Sequence, residues 1–273
     1  MAKRFIAGHD FDSAKPKIQK LLDDGYEVSI DYLGELSKSH EDCTKATNQY
    51  LEIINFYKDV KINISIKPSQ LGLLINPKIS YDNLNLVAKA AKKHGHTIRL
   101  DMEDSRVTEL TRNQAMSLNK RHGNVGVAVQ SNLFRTEEDL KILIEHNTSV
   151  RLVKGAYKEV GGVAYQTEVD INANLFHCAV TLYQNSANNP AIGTHDEGLL
   201  EDIEDLIPNP NYFDYEFLYG IRRDLQKKMK FKNYSTRIYI PFGKDWLPYT
   251  MRRLKEWKNL KFVICNIFKE WGG

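Results

Sequence analysis

The sequence predicts a single α/β domain folded as a (β/α)8 TIM barrel, and three observations predict it. Eight short β-rich runs recur along the 273 residues, segments with helical periodicity lie between them, and no Pro/Gly/Ser linker, low-complexity tract or charge block divides the chain. An open doubly wound sheet more often has about five to seven strands and opens on a glycine-rich turn, which is missing here.

The elements follow in order. A helix over 12–24, within an N-terminal cap of residues 1–26, is expected to close the bottom of the barrel. The strands are expected at 28–32, 60–66, 97–102, 125–130, 149–154, 190–194, 211–217 and 236–240, short runs that are mostly rich in β-branched or aromatic residues. Between them, Leu84, Leu86, Val87, Ala90 and Ala91 mark a helix over 83–94, Leu140, Leu143 and Ile144 one over 137–145, and Ala173, Leu175, Phe176, Ala179, Val180 and Tyr183 one over 170–183. The basic run 222–232 reads as a solvated helix with its end. Pro241 and Gly243 stop the last strand, and Asp245 is placed to cap a final helix whose Pro248 sits in the first turn, where a missing N–H is harmless. On that helix Leu247, Met251 and Leu254 share one face, and Tyr249, Arg252, Arg253 and Glu256 the other. Two planar guanidiniums side by side suit a small carboxylate, although the same pair also reads as a solvated face.

Composition narrows the function. Hydrophobic residues at 42% and charged residues at 27% are ordinary for a soluble globular protein, and a net charge of +3 is too small to argue for nucleic acid. Cys43, Cys178 and Cys265 are odd in number and lack metal spacing, which points to a reduced, cytoplasmic setting. Neither a signal peptide nor a membrane-spanning run is expected. The histidines show no ligand spacing, so no metal is expected, and no P-loop, G-x-S-x-G or G-x-G-x-x-G occurs.

In such a barrel the chemistry belongs at the C-terminal strand ends. Polar residues stand there: Lys67, Asp101, Gln130, Arg151, and the run Thr194, His195, Asp196. Arg99, Asp101 and Glu103 share one side of the third strand. Arg99, deeper in, reads either as part of this cluster or as a member of a satisfied polar layer.

With these residues in place, the chain resembles the proline dehydrogenase family, flavoenzymes that oxidise L-proline to Δ1-pyrroline-5-carboxylate, in its short monofunctional form. The resemblance runs from R-F-I-A-G (4–8) to F-V-I-C-N-I-F (262–268). It rests on D-Y-L-G-E (31–35), S-I-K-P-S-Q-L-G-L (65–73), R-L-D-M-E-D-S (99–105), V-R-L-V-K-G-A-Y-K-E (150–159), G-T-H-D (193–196), E-F-L-Y-G-I-R-R-D-L (216–225), R-I-Y-I-P-F-G (237–243) and Y-T-M-R-R-L-K-E (249–256). It implies that the last helix is displaced over the barrel mouth and that FAD lies across that mouth. By the same resemblance Arg252 and Arg253 hold the proline carboxylate with help from Lys67, which Asp101 supports. Tyr239 and Tyr249 enclose the ring, Tyr157, Leu218 and Glu256 complete the substrate shell, and Glu35 closes as a gate onto Arg252. Arg151 points at the flavin N5 region and Gln130 at the pyrimidine edge. Met102, Val153, Lys154, Gly155, Ala156, Thr194 and His195 line the FAD.

The resemblance also implies a quinone as electron acceptor and a separate pyrroline-5-carboxylate dehydrogenase as pathway partner. Ser69 departs from a threonine common in its motif, and the additional N-terminal helices of longer relatives are not seen. The apolar tail 261–271 reads first as a segment covering the barrel and second as a contact with the inner face of the membrane. The same residues allow other readings: a barrel flavoenzyme for a related cyclic amine such as hydroxyproline, against which the bulk of Tyr239 argues, a flavin-free enzyme using Lys67 as a Schiff-base nucleophile, or a catalytically silent binding protein.

Overall fold

Eight parallel strands close on themselves in the order of the chain, as the alternation of strand and helix requires. The computed structural model describes residues 4–207, 209–246 and 249. The strands are β1 (Glu27–Tyr32), β2 (Asn63–Ile66), β3 (Thr97–Leu100), β4 (Val125–Gln130), β5 (Val150–Val153), β6 (Ala191–Gly193), β7 (Asp214–Leu218) and β8 (Thr236–Phe242). Each pairs with its sequence neighbours, and β8 returns to β1 through the register Glu27↔Arg237 to Tyr32↔Phe242, so no strand edge is left open. The (β/α)8 expectation therefore holds.

Seven helices fill the crossovers: α2 (His40–Phe56), α3 (Pro77–Lys93), α4 (Thr108–His122), α5 (Thr136–Glu145), α6 (Glu168–Gln184), α7 (Glu197–Leu206) and α8 (Arg223–Phe231). Residues pointing outward from the strands, such as Val28, Ile30, Ile64, Ile66, Leu100, Val127 and Leu152, are buried against them in one continuous apolar layer. Helix α3 starts a turn and a half earlier than its apolar spacing suggests, because Asn76 caps it and Pro77 occupies a first-turn position that needs no N–H. Strand β8 continues through Pro241. Its pairing with β7 has already ended at Leu218↔Tyr239, so the missing donor is not called upon, while β1 still pairs along Asp31↔Pro241 and Tyr32↔Phe242.

The N-terminal helix α1 (Phe11–Asp23) lies on the wall of the barrel and not across its bottom. The amide of Ala7 donates to Pro241 O and that of Gly243 to Gly8 O, tying the entry of α1 to the upper end of β8. From there Phe11 packs on Phe242 at 5.6 Å and on Phe56 at 5.5 Å, and the helix descends past β1 and β8 to the turn at Gly25. It thus occupies the wall beside β1 and β8. Trp246 and the buried Tyr249 lie against Phe5, Ile6, Leu33 and Ile221, above the β1 and β8 ends. The remainder of the final helix, including Arg252, Arg253 and Glu256, and the tail 261–271 with Cys265 lie outside the described residues.

Truncating a buried phenyl ring costs about 3–5 kcal/mol. Phe11→Ala is expected to lose stability in that range by urea unfolding, because Phe11 joins α1 to α2 and β8. A loss below about 1 kcal/mol would contradict the wall position.

Candidate active site

Strand periodicity puts every second side chain inside the barrel, and here that stripe is polar. Ser29 and Asp31 on β1, Asn63, Ser65 and Lys67 on and after β2, Arg99 and Asp101 on and after β3, Arg151 on β5, Glu216 on β7, and Tyr239 on β8 are all buried. Their hydrogen bonds cross between strands that are not neighbours. Arg151 Nη1 donates to Ser65 Oγ at 3.1 Å and Tyr239 Oη to Asp101 Oδ2 at 2.7 Å, contacts that can only run through the interior.

Lys67 ends β2, where Pro68 opens a short 3-10 turn, and its ammonium sits between two carboxylates. It lies 3.1 and 3.2 Å from the two oxygens of Asp31 and 3.3 Å from Asp101 Oδ2, with Tyr239 Oη at 3.4 Å. Asp101 was the partner expected from the sequence, but Asp31 is the nearer and takes both oxygens to the same ammonium. Burial opposes the charge on Lys67, yet Asp31 and Asp101 outweigh it and hold the pKa above its ordinary value. The two carboxylates are pushed apart. Burial raises Asp31 despite Lys67 beside it, whereas for Asp101 the burial is overcome by Arg151 and Lys67, which bring it down to about 2.

Asp101 also accepts from Arg151 Nη2, and Arg151 Nη1 reaches Glu216 Oε2 at 3.1 Å. The guanidinium is thereby fixed below the mouth, 5.4 Å from the Tyr239 ring centroid. Arg99 enters the same polar interior but is not satisfied by it. Its Nε and Nη1 make no hydrogen bond among the described residues, and burial brings its pKa down to about 10. Just above, Glu103 accepts from both the amide and the hydroxyl of Ser69, so the serine at this position retains the group a threonine would offer.

Over this core opens a cavity of about 890 Å³. Lys67, Asp101, Arg151 and Tyr239 form part of its lining, with Tyr157, Leu218, Tyr249 and Glu35 around the mouth. Met102, Gln130, Val153, Lys154, Gly155, Ala156, Thr194 and His195 line the rest. Every expected site residue that the structure describes is therefore brought to one cavity. Arg252, Arg253 and Glu256 are outside the described residues, and with Arg252 goes the partner of the Glu35 gate.

Gly155, at φ 118°, needs its missing side chain, since a Cβ there would fall 2.4 Å from Asn132 Oδ1. Gln130 joins two strands' ends by donating to Glu103 O at 2.9 Å and accepting from the Ala156 amide at 3.3 Å. The Leu218 amide donates to His195 Nε2 at 3.0 Å, which leaves the imidazole proton on Nδ1. Lys154 pairs with Asp196 at 2.7 Å. Sequence reasoning missed Asp31, Glu216 and the role of Glu103, although each stands two residues from another inward-facing position.

Each of Asp31→Asn and Asp101→Asn leaves Lys67 one carboxylate, and the double substitution leaves none. Stripping a buried charge of its last partner costs about 3–5 kcal/mol. The double variant is thus expected to lose about 1–3 kcal/mol more than the sum of the singles in urea unfolding. Additive losses would show that Lys67 is not held jointly.

Comparison with known proteins agrees with this geometry. The sequence model of the family described as proline dehydrogenase matches residues 14–263. Proline dehydrogenase 2 of Bacillus subtilis is 33% identical over 277 residues, covering 98% of this chain and 91% of the relative. Proline dehydrogenase of Deinococcus radiodurans is 33% identical over 281 residues, covering 98% and 90%. Among solved structures, proline utilization A from Bdellovibrio bacteriovorus, inactivated by N-propargylglycine, superposes with a TM-score of 0.86 at 25% identity over 95% of this chain and 33% of that one. A barrel closed in sequence order, a polar strand-end cavity and relatives matched along nearly their whole length lead to one conclusion: this chain belongs to the proline dehydrogenase family.

Proposed function

We propose that the chain oxidises L-proline to Δ1-pyrroline-5-carboxylate, with FAD as its cofactor and a quinone as the final electron acceptor. The observation that carries this reading is Lys67, a buried ammonium kept charged by Asp31 and Asp101 at the floor of a cavity large enough for a flavin and a small amino acid. The cavity's donors fit a flavin dinucleotide. Gln130, Arg151 and the Gly155–Ala156 backbone offer polar groups for a ring edge, Met102, Val153 and Ala128 an apolar surface, and Lys154 and Arg222 cations for phosphates, which would share them with Asp196, Glu197 and Asp224. When bound, the flavin supplies a two-electron acceptor for the hydride that leaves proline C5.

The chain's own residues do the rest. Lys67 would hold the substrate carboxylate, assisted by Arg252 and Arg253. The weak 3.4 Å contact to Tyr239 is the one an incoming carboxylate can take over, since both aspartates are held more closely. Tyr239, Tyr249, Tyr157 and Leu218 would enclose the ring, with Glu256 beside Arg252 and Arg253, and Glu35 would close over them by pairing with Arg252. Proline must lose its ammonium proton before hydride can leave, and the positive charge of Arg151 and Lys67 favours the neutral amine. A Schiff-base role for Lys67 is disfavoured by the same geometry, because such lysines need a lowered pKa and this one is raised. A separate dehydrogenase would take up the pyrroline-5-carboxylate.

The reading is tested by mixing the purified protein, expected to be yellow, with L-proline without oxygen. Bleaching of the flavin is expected, and acid precipitation of the untreated protein should release the colour, as for a noncovalent cofactor. Colour that persists with L-proline in a well-folded preparation would overturn the proposal. Lys67→Met is expected to raise the KM for proline by about 30- to 1,000-fold, since losing one partner of a buried charge pair costs about 2–4 kcal/mol. Flavin content should hold, and an unchanged KM would remove Lys67 from the substrate site.

A further inference from the structure

The inward stripe does not end at the site. Glu216 divides its carboxylate between two arginines, Oε2 lying 3.1 Å from Arg151 Nη1 and Oε1 lying 3.0 Å from Arg237 Nη1. Arg237 in turn reaches Asp214 at 2.7 Å and pairs with Glu27, both at the N-terminal end of the barrel. The contact between Arg151 on β5 and Glu216 on β7 must pass over β6. There the register sets Gly193 level with Val153 and Glu216. A Cβ on Gly193 would crowd Val153 Cγ1 at 3.0 Å and meet Arg151 Cδ at an ordinary 3.8 Å.

Three guanidiniums, those of Arg151, Arg237 and Arg99, whose Nε and Nη1 make no hydrogen bond among the described residues, act on this one buried carboxylate. Glu216 is therefore the anion that offsets positive charge beneath the cavity. We infer that Glu216 is a positioning residue that fixes the Arg151 guanidinium and tempers the positive field at the flavin site, with Arg237, at the far end of the barrel, acting on the same field in the opposite sense. The inference rests on the flavin reading given above. It assigns two residues with separable signs, since glutamine at either position keeps a polar side chain of similar reach while removing one charge.

The test is the midpoint potential of the bound flavin in the holoprotein, measured for wild type, Glu216→Gln and Arg237→Gln, with thermal unfolding as control. Removing the anion makes the site more positive and favours the reduced, more negative flavin, so Glu216→Gln should raise the potential. Removing the cation should lower it. A purely structural role destabilises both variants and gives no reason for opposite shifts. Shifts of the same sign, or none, would overturn the inference. Should Arg237→Gln not fold, Asp214→Asn removes an anion from the same cluster and is expected to give a smaller rise than Glu216→Gln, with no rise or a larger one counting against the idea. A wild-type protein that holds no flavin would defeat the functional reading instead.

Discussion

A buried ammonium between two carboxylates is the constraint on which the rest of the site depends. Lys67 stands where β2 ends, with almost no access to solvent, and a lone charge there could not persist. Asp31 from β1 and Asp101 from β3, the strands on either side, keep it charged. Asp101 then requires Arg151, and Arg151 requires Glu216, so neutralising one cation organises a chain of charges around the barrel interior. Each member is placed by backbone pairing alone, since the register aligns Asp31 with Ser65 and Ser65 with Arg99, two residues below Lys67 and Asp101.

Such an interior is a poor way to stabilise a barrel. Buried ion pairs recover little more than their desolvation penalty, and an apolar filling of equal volume would serve stability as well or better. Stability here comes from the outer layer, where isoleucine, leucine and valine from the strands meet the helices, and from the closing of α1 over β1 and β8. That division leaves the interior available for function. The loops above are held by polar contacts of their own: Ser69 to Glu103, Gln130 to the Ala156 amide, and Ser105 to both oxygens of Glu159, which joins the loops after β3 and β5.

Much of this was legible in the sequence, and the exceptions have physical causes. The strands announced themselves because one face of each is apolar and most of the runs are rich in β-branched or aromatic residues. Helices α2, α4 and α7 were not marked out. In α4 the buried face includes Thr108, Thr111 and Gln114, so its apolar period is blurred, and it becomes a helix through packing on the wall. The wall position of α1 was illegible because periodicity gives a helix a buried face without naming what covers it. Lys67, Asp101 and Arg151 were found as polar strand ends, and the resemblance supplied their grouping. Asp31 and Glu216 escaped because they read as parts of longer motifs, although the two-residue step from Ser29 to Asp31 and from Asp214 to Glu216 would have placed both inside. Arg99, which the sequence left open between the site cluster and a satisfied polar layer, is of another kind, since no sequence pattern tells a satisfied buried arginine from an unsatisfied one.

Whether Lys67 holds the substrate is decided by a crystal structure of the flavin-loaded protein with a proline-like carboxylate bound. A carboxylate oxygen is expected within hydrogen-bond distance of Lys67 Nζ, with Asp31 and Asp101 still in contact with that ammonium and Tyr239 Oη remaining on Asp101. A carboxylate bound elsewhere in the cavity, with Lys67 touching only its two aspartates, would contradict it.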